Sequence, residues 1–401
     1  MLIPLRAAAD AEEPKKIAAV VTSYFHNSHA DVIVSRLLEG YTLDGQGPRP
    51  ALQLVSLYTD QTPANDKSRK LAEQHGFQIY DSVAGALARG GDRLAVDGVL
   101  LVAEHGDYPT SATGQVQYPK RRLFAEIAAV FRHSGRGVPV FVDKHLADNW
   151  QDAKWIYDTA AELHAPLMAG SSLPLLWRYP PADVPRGAKL REIVGVSYHS
   201  LDAYGFHGVE MVQCLAERRH GGETGVKATQ CLTGAAVWQA GDDGLFDQRL
   251  LEAAISRLRD RRGGDKPLPE IVPEPVLFHI EYTDGLKANL LTLNGAVAEW
   301  AVAWRDADNR VDATLFWTQE ARPLMHFTYL VRGIEHMFQT GKPAWPVERT
   351  LLTSGLLDAL FISKQRGGAR LETPYLDIHY QAAGDWHQPP PPPPGRPFTE
   401  Q

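Results

Sequence analysis

Short, unbroken apolar runs recur along the first 170 residues: Ile-Ala-Ala-Val-Val-Thr at 17–22, Leu-Gln-Leu-Val-Ser-Leu-Tyr at 52–58, Val-Asp-Gly-Val-Leu-Leu-Val-Ala at 96–103 and Val-Pro-Val-Phe-Val at 138–142. Runs of this length without strict polar alternation belong to strands buried on both faces. Between and after them, 29–39, 65–75, 82–89, 121–133 and 151–164 carry Ala, Leu and Ile at three- and four-residue spacing, the helical period. This alternation predicts parallel strands joined by right-handed helical crossovers, a doubly wound α/β sheet over 15–170.

After Pro180-Pro181 the texture changes to longer β-rich segments at 192–198, 225–239, 275–282, 286–293, 297–304 and 311–317. Asp284-Gly285 and Asn294-Gly295 predict hairpin turns between neighbours. With helices at 206–219, 246–260, 326–340 and 347–364, residues 171–385 read as an α+β domain with a large, mainly antiparallel open sheet. One face of that sheet needs cover from helices or from a second copy, so a homo-oligomer joined through it is expected. Residues 1–14 are expected to be flexible. The tail at 386–401, with its proline run 389–394, is expected to be a disordered, polyproline-like extension.

Composition removes several classes of function. With 41 Lys and Arg against 48 Asp and Glu, a net charge of −7 and no basic block, neither nucleic acid nor an anionic membrane is an expected partner. No apolar stretch is long enough to span a bilayer, and the first residues lack the apolar core of a secretion signal. Cys214 and Cys231 are too few for a disulfide framework and are not in metal-ligand spacing. A cytoplasmic setting is the expectation.

Ligands of an open parallel sheet sit outside the carboxyl ends of its strands, so the polar residues there are the candidates for chemistry. The run Val-Phe-Val-Asp-Lys-His at 140–145 ends on three ionisable residues. Lys144, desolvated among charges, is expected to have a lowered pKa and to hold a hydroxyl or move a proton. The run at 96–103 is followed by Glu104-His105-Gly106-Asp107, a polar pocket in the making and also a set of metal-ligand types, with His26 and His29 as further donors for a divalent metal. Asp60 stands where a ribose-binding carboxylate would. The loop after the first strand, Thr22-Ser23-Tyr24-Phe25-His26-Asn27-Ser28-His29, contains no glycine, so the fingerprint that lets a backbone approach a diphosphate is missing. Ser23, Asn27 and Ser28 can still contact an anion there, and His29 can cap the following helix. In the second half, glycines flank His207, and His207 and Glu210 lie three apart on a predicted helix, the spacing of an oriented acid–base pair. His199, His279, His326 and His336 read as structural.

Several of these segments together are similar to the Gfo/Idh/MocA family of glucose-fructose oxidoreductases and inositol dehydrogenases, over about 16–380. They are Asp143-Lys144, Ala153, Pro166-Leu167-Met168 with Gly170-Ser171-Ser172, Tyr204-Gly205-Phe206-His207, Asp284-Gly285 before Asn294-Gly295, and the stretch from Thr340-Gly341-Lys342-Pro343 to Gly355. The resemblance implies an N-terminal Rossmann-like domain, a carbohydrate or polyol substrate, and NAD or NADP held without the glycine loop. It places Lys144 and His207 at the reacting hydroxyl; the reading of the residues themselves adds Glu210 to that pair and puts Ser23, His29, Asp60 and Glu104 on the cofactor side. Two other readings stay open. One is a dinucleotide-independent sugar lyase, isomerase or hydrolase that uses a metal or the polar cluster itself, with Glu104, His105, Asp107 and Asp143 or His145, and His26 and His29 beside them, as ligands or acid–base groups. The other is a non-catalytic sugar-binding or scaffold protein.

Overall fold

A computed structural model of the chain describes residues 13–264 and 266–391, so most of the expected flexible N-terminus and the tail beyond 391 lie outside the described residues. The first half runs β1 (Lys15–Val21), α1 (His29–Glu39), β2 (Leu52–Thr59), α2 (Ser68–His75), β3 (Gln78–Ile79), α3 (Val83–Ala88), β4 (Gly98–Val102), α4 (Lys120–Ser134), β5 (Val140–Asp143), α5 (Trp150–Glu162) and β6 (Leu167–Gly170). Its strands are all parallel in the order β3-β2-β1-β4-β5-β6. The order reverses between β1 and β4, and the crevice at their carboxyl ends is where a ligand of such a sheet belongs. The strands are continuously apolar because both faces are covered. On one side lie α3, α4 and α5; on the other lie α1, α2 and a helix from the second half, α10 (His326–Thr340).

The second half contains β7 (Trp177–Tyr179), β8 (Leu190–Ser197), α6 (Ala203–Ala216), β9 (Glu223–Thr224), β10 (Val226–Thr233), α7 (Ala235–Asp242), α8 (Gln248–Ile255), α9 (Leu268–Ile271), β11 (Val276–Tyr282), β12 (Lys287–Thr292), β13 (Trp300–Asp306), β14 (Val311–Trp317), α10, α11 (Val347–Gln365), β15 (Leu371–Glu372) and β16 (His379–Tyr380). Eight of its strands form one sheet in the order β15-β10-β11-β12-β8-β13-β14-β7. Within it only β12 and β8 pair in parallel. The architecture is therefore the expected α/β pairing of a doubly wound sheet with a mainly antiparallel one.

Three expectations change. The segment 225–239 is not one strand: β10 stops at Thr233, Gly234 takes a φ of 60°, and α7 follows. Asp284-Gly285 does turn a hairpin between β11 and β12, but Asn294-Gly295 does not, because β8 lies between β12 and β13. Asn294 instead exchanges two hydrogen bonds with the backbone of His199, tying the loop after β12 to the end of β8. Finally, the outer face of the sheet at β8, β13 and β14 is covered by α8, whose Leu250, Leu251 and Ala254 are buried there. Of the two covers expected for that face, helices or a second copy, helix α8 supplies this part from within the chain.

The two halves are stitched together near α1. Buried Arg36 donates to the carbonyls of Val32, Pro323 and Leu324, Thr328 Oγ1 donates to Tyr41 O, and Glu335 accepts from Tyr41 Oη and Ala51 N. The beginning of the Pro-rich tail is also anchored. Trp386 Nε1 donates to Leu176 O, Gln388 accepts from Arg178 N, and Pro390 O accepts from Trp177 Nε1 and Tyr329 Oη. Residues expected to lie free from 386 are thus held against the body through 390.

Helix α11 reaches both halves by close approach at Gly355, where an added Cβ would lie 2.6 Å from the Trp150 ring and 2.7 Å from Leu376 Cδ2. Gly355→Ala is expected to cost about 1–3 kcal/mol through overpacking. Urea unfolding should show a lower midpoint at unchanged slope; an unmoved midpoint would mean that the Trp150 ring yields freely.

Candidate active site

The polar residues that end β4 and β5 converge on one carboxylate. Glu104, two residues past β4, accepts from Lys144 Nζ and Lys120 Nζ, each at 2.6 Å, one ammonium on each oxygen. All three side chains are buried, with residue exposures of 5, 2 and 1 %. Lys120 also donates to the carbonyls of Asp143 and His145, at 2.9 and 2.7 Å. Burial opposes the charge on Glu104, but Lys120 and Lys144 outweigh it and hold the carboxyl well below its ordinary range. Burial likewise works against the Lys144 ammonium, yet Glu104 and Asp143 raise its pKa above the usual lysine value. The lowered pKa expected of Lys144 is not found; burial lowers that of Lys120 instead.

Lys120 carries no sequence signal of its own except its place. It opens α4 just after Pro119, where the helix dipole disfavours a cation, so a lysine there needs an anion partner. Asp202, at the start of α6, is the second residue missed: its carboxylate accepts from Val116 N and lies 3.6 Å from His145 Nε2.

His29, the first residue of α1, donates from Nδ1 to Asp143 Oδ2 at 2.6 Å. A carboxylate there fixes the proton on Nδ1 and leaves Nε2 as the free face of the ring. Asp143 is fully buried, and its other oxygen has no hydrogen-bond partner among the described residues. His105 packs its ring edge-on against both Phe25 and His29, at 5.3 Å each, and burial drops its pKa to about 3.

From the second half, His207 on α6 faces this cluster closely enough for Lys144, His29, Glu104 and His145 all to act on its charge. Burial first, and then the Lys144 and His29 charges, hold its pKa well below 6.5, so the ring is neutral at pH 7. Its Nδ1 has no hydrogen-bond partner among the described residues. Tyr204 stacks on Trp300 at 5.4 Å and 18°, and both flank the His207 ring. A neutral acceptor, a fixed ammonium, an oriented imidazole and an aromatic wall are the elements of proton transfer on a hydroxyl-bearing ligand.

Glu210 does not pair with His207. Its carboxyl accepts from Ser171 N at 3.1 Å and is bonded by Ser171 Oγ, and Gly170 makes room for it, since a Cβ there would lie 2.6 Å from Glu210 Oε1. The i,i+3 spacing is met, but Glu210 points to the end of β6. Burial pushes its pKa from 4.5 up to about 7. The folded state therefore keeps a proton that the unfolded chain has released, and stability should fall as pH rises from 4.5 to about 7. The slope is up to about 1.4 kcal/mol per pH unit. Urea midpoints measured across this range should flatten in Glu210→Gln; an identical slope in the variant would rule the group out.

No family profile and no curated protein sequence matches the chain. Solved structures do. GenD2 from gentamicin A biosynthesis, in complex with NAD, aligns over 92% of this chain and 99% of its own at TM-score 0.59 and 13% identity. The myo-inositol 2-dehydrogenase of Lactobacillus plantarum aligns over 90% and 99% at TM-score 0.54 and 11% identity. The scyllo-inositol dehydrogenase of Lactobacillus casei aligns over 90% and 98% at 0.55 and 9%. The chain has the Gfo/Idh/MocA fold. By their names, two of these neighbours are dehydrogenases, and GenD2 was solved with NAD bound.

In a Gfo/Idh/MocA fold the dinucleotide would be expected across the β1–β4 crevice, with its diphosphate on the N-terminus of α1. Here that helix end is already satisfied. Ser28 Oγ accepts from Asp31 N, Asn27 takes a φ of 60°, and Asn27 N donates to the buried Asp31 carboxylate. Asp31 in turn is paired with Lys67 at 2.5 Å and Arg322 at 2.8 Å. The donors at this helix end are thus spent on Ser28 and Asp31 rather than left for a phosphate. Ser23 is buried beside the loop, and the rings of Phe25 and His105 meet across the crevice. Asp60 is taken as well, by Tyr58 Oη at 2.9 Å, Tyr108 Oη at 2.7 Å and Arg122 at 2.5 Å. The residues present do not fit a dinucleotide seated in the glycine-loop manner. Of the four expected cofactor contacts, Asp60 is engaged elsewhere, Glu104 belongs to the lysine cluster and His29 to Asp143.

The metal-ligand set does not assemble either. Glu104 turns to its two lysines, His105 to Phe25 and His29, and the Asp107 backbone to Gln61. Among the described residues no three His, Cys, Asp or Glu side chains are grouped to hold a metal ion.

Proposed function

We propose that this chain is an oxidoreductase-like enzyme acting on a hydroxyl of a carbohydrate or polyol, in which Lys144 and His207 handle the hydroxyl proton. The observation that supports the reading is a Lys144 ammonium fixed by Glu104 and, near enough for that charge to act on its ring, a His207 whose Nδ1 has no hydrogen-bond partner among the described residues. Lys144 remains protonated and donates to the substrate oxygen, stabilising the negative charge that grows as the O–H bond breaks. His207, neutral, accepts that proton at Nδ1. His29, oriented by Asp143 and near enough for its charge to act on His207, can offer its Nε2 to a second hydroxyl. The Tyr204–Trp300 stack offers the apolar face that a sugar or cyclitol ring needs.

Oxidation of that carbon, the reaction class that the neighbours' names support, needs a hydride acceptor, which NAD or NADP would supply when bound away from the filled α1 seat. A second reading is favoured by that filled seat: the same proton transfer without redox change, as in an isomerase or lyase. Fluorescence titration with NADH and NADPH, together with mass spectrometry of small molecules released on denaturation, separates the two. The first reading expects saturable binding of one nucleotide, with affinity changed less than about twofold by Asp60→Asn, since Asp60 is already engaged. Absence of binding by either route would sink it and leave the redox-neutral reading.

A further inference from the structure

A second cavity, of about 440 Å³, lies apart from these residues, between the outer face of α10, the segment 174–178 and the anchored start of the tail at 383–390. Its size is that of a small-molecule site, roughly 300–1,000 Å³. Trp345, Trp386, Tyr329 and Leu175 give it flat apolar walls. Its charges do not cancel. Arg178 and Arg218 are paired with Asp183, Arg218 reaches Asp385 as well, and Arg349 is paired with Glu217. Two cations that line the cavity have no carboxylate partner among the described residues: Arg332, which lies over the rings of Tyr41 and Tyr329 at 5.2 and 5.7 Å, and Lys342, exposed at the mouth. The buried Arg178 guanidinium is sandwiched between Phe316 and Trp386, at 4.5 and 4.3 Å, and its Nε is also without a partner.

We infer that this cavity binds an organic anion with a flat apolar body, an aryl carboxylate, its ring against the Trp345 and Trp386 walls and its carboxylate on Arg332 and Lys342. Stacking supplies the contact area. Arginine, with its forked donors over an aromatic face, supplies orientation to a planar carboxylate. The paired arginines keep their own carboxylates, so the ligand neutralises the surplus charge without breaking those pairs.

The test uses the full chain and 2-naphthoate, followed by quenching of tryptophan fluorescence, with 2-naphthamide and inorganic phosphate as comparison probes. Saturable binding of 2-naphthoate is expected, at least about tenfold tighter than the uncharged amide, and weakened at least about tenfold in Arg332→Gln/Lys342→Gln. Lys342→Gln alone alters only an exposed residue, so it reports on the carboxylate contact even if the double variant folds poorly; it is expected to weaken binding and its salt dependence. Equal affinity for acid and amide, unchanged binding in Lys342→Gln and the double variant, or no saturable binding would each overturn the assignment. Binding of phosphate but not of 2-naphthoate would overturn the ligand class.

Discussion

Glu104→Ala is expected to lower folding stability by about 3–5 kcal/mol, the largest effect of any single substitution near the site. The reason is what it leaves behind. Lys120 and Lys144 are almost fully buried, and Glu104 is the carboxylate that both contact at 2.6 Å. Without it two ammoniums face each other in a space that water does not reach. The pH dependence follows from the depressed carboxyl pKa. Glu104 contributes stability above the unfolded value of 4.5, and that contribution is lost as pH falls through its lower folded value. Chemical unfolding at pH 7 and on the acid side of 4.5 checks both statements: the variant should be much weaker than wild type at pH 7, with the difference shrinking in acid. A difference below about 1 kcal/mol at pH 7 would mean that the lysines find other partners.

Lys144→Met and His207→Gln are expected to reduce turnover by about 10²–10⁴, the usual weight of a positioned proton-transfer group. Lys144→Met spares the fold better than Glu104→Ala, because Glu104 keeps Lys120 as partner and no buried charge is orphaned. Turnover should be assayed on a panel of inositols and aldoses, with and without NAD(P), beside the thermal midpoint of each variant. Wild-type rates in either variant at full stability would remove that residue from the mechanism. In contrast, His105→Phe should leave turnover within about threefold, since His105 is a buried ring packed edge-on against Phe25 and His29 rather than a proton carrier.

The strand–helix rhythm of the first half could be read directly, since a strand buried on both faces writes its burial as an unbroken apolar run, and α1 spans the very residues its periodicity marks. The second sheet was harder. Its strands are ordered by pairing rather than by succession, so the insertion of β8 between β12 and β13 could not be inferred from Asn294-Gly295, which is a sound hairpin signal in the wrong company. In the site, the position of Lys144 was visible as a strand end, but not its charge state, which is set by Glu104 from 40 residues away. Glu210 failed for a related reason. Spacing along a helix says which residues share a face but not which neighbour that face meets, and the neighbour is Ser171. The missing glycines were legible; that Asp31, Lys67 and Arg322 fill the space they would have opened was not.

The stitching around α1 bears on how anything gets in. Many two-domain enzymes admit their ligands by swinging one domain away from the other. Here such a swing would pull Arg36 off the carbonyls of Pro323 and Leu324, Arg322 off Asp31, and Glu335 off Tyr41 and Ala51, stripping a buried guanidinium and a buried carboxylate of part of their partners at once. Admission by local movement leaves all of these contacts whole, so a ligand's way in is a matter of side chains and loop ends, with the two halves as the fixed wall around them.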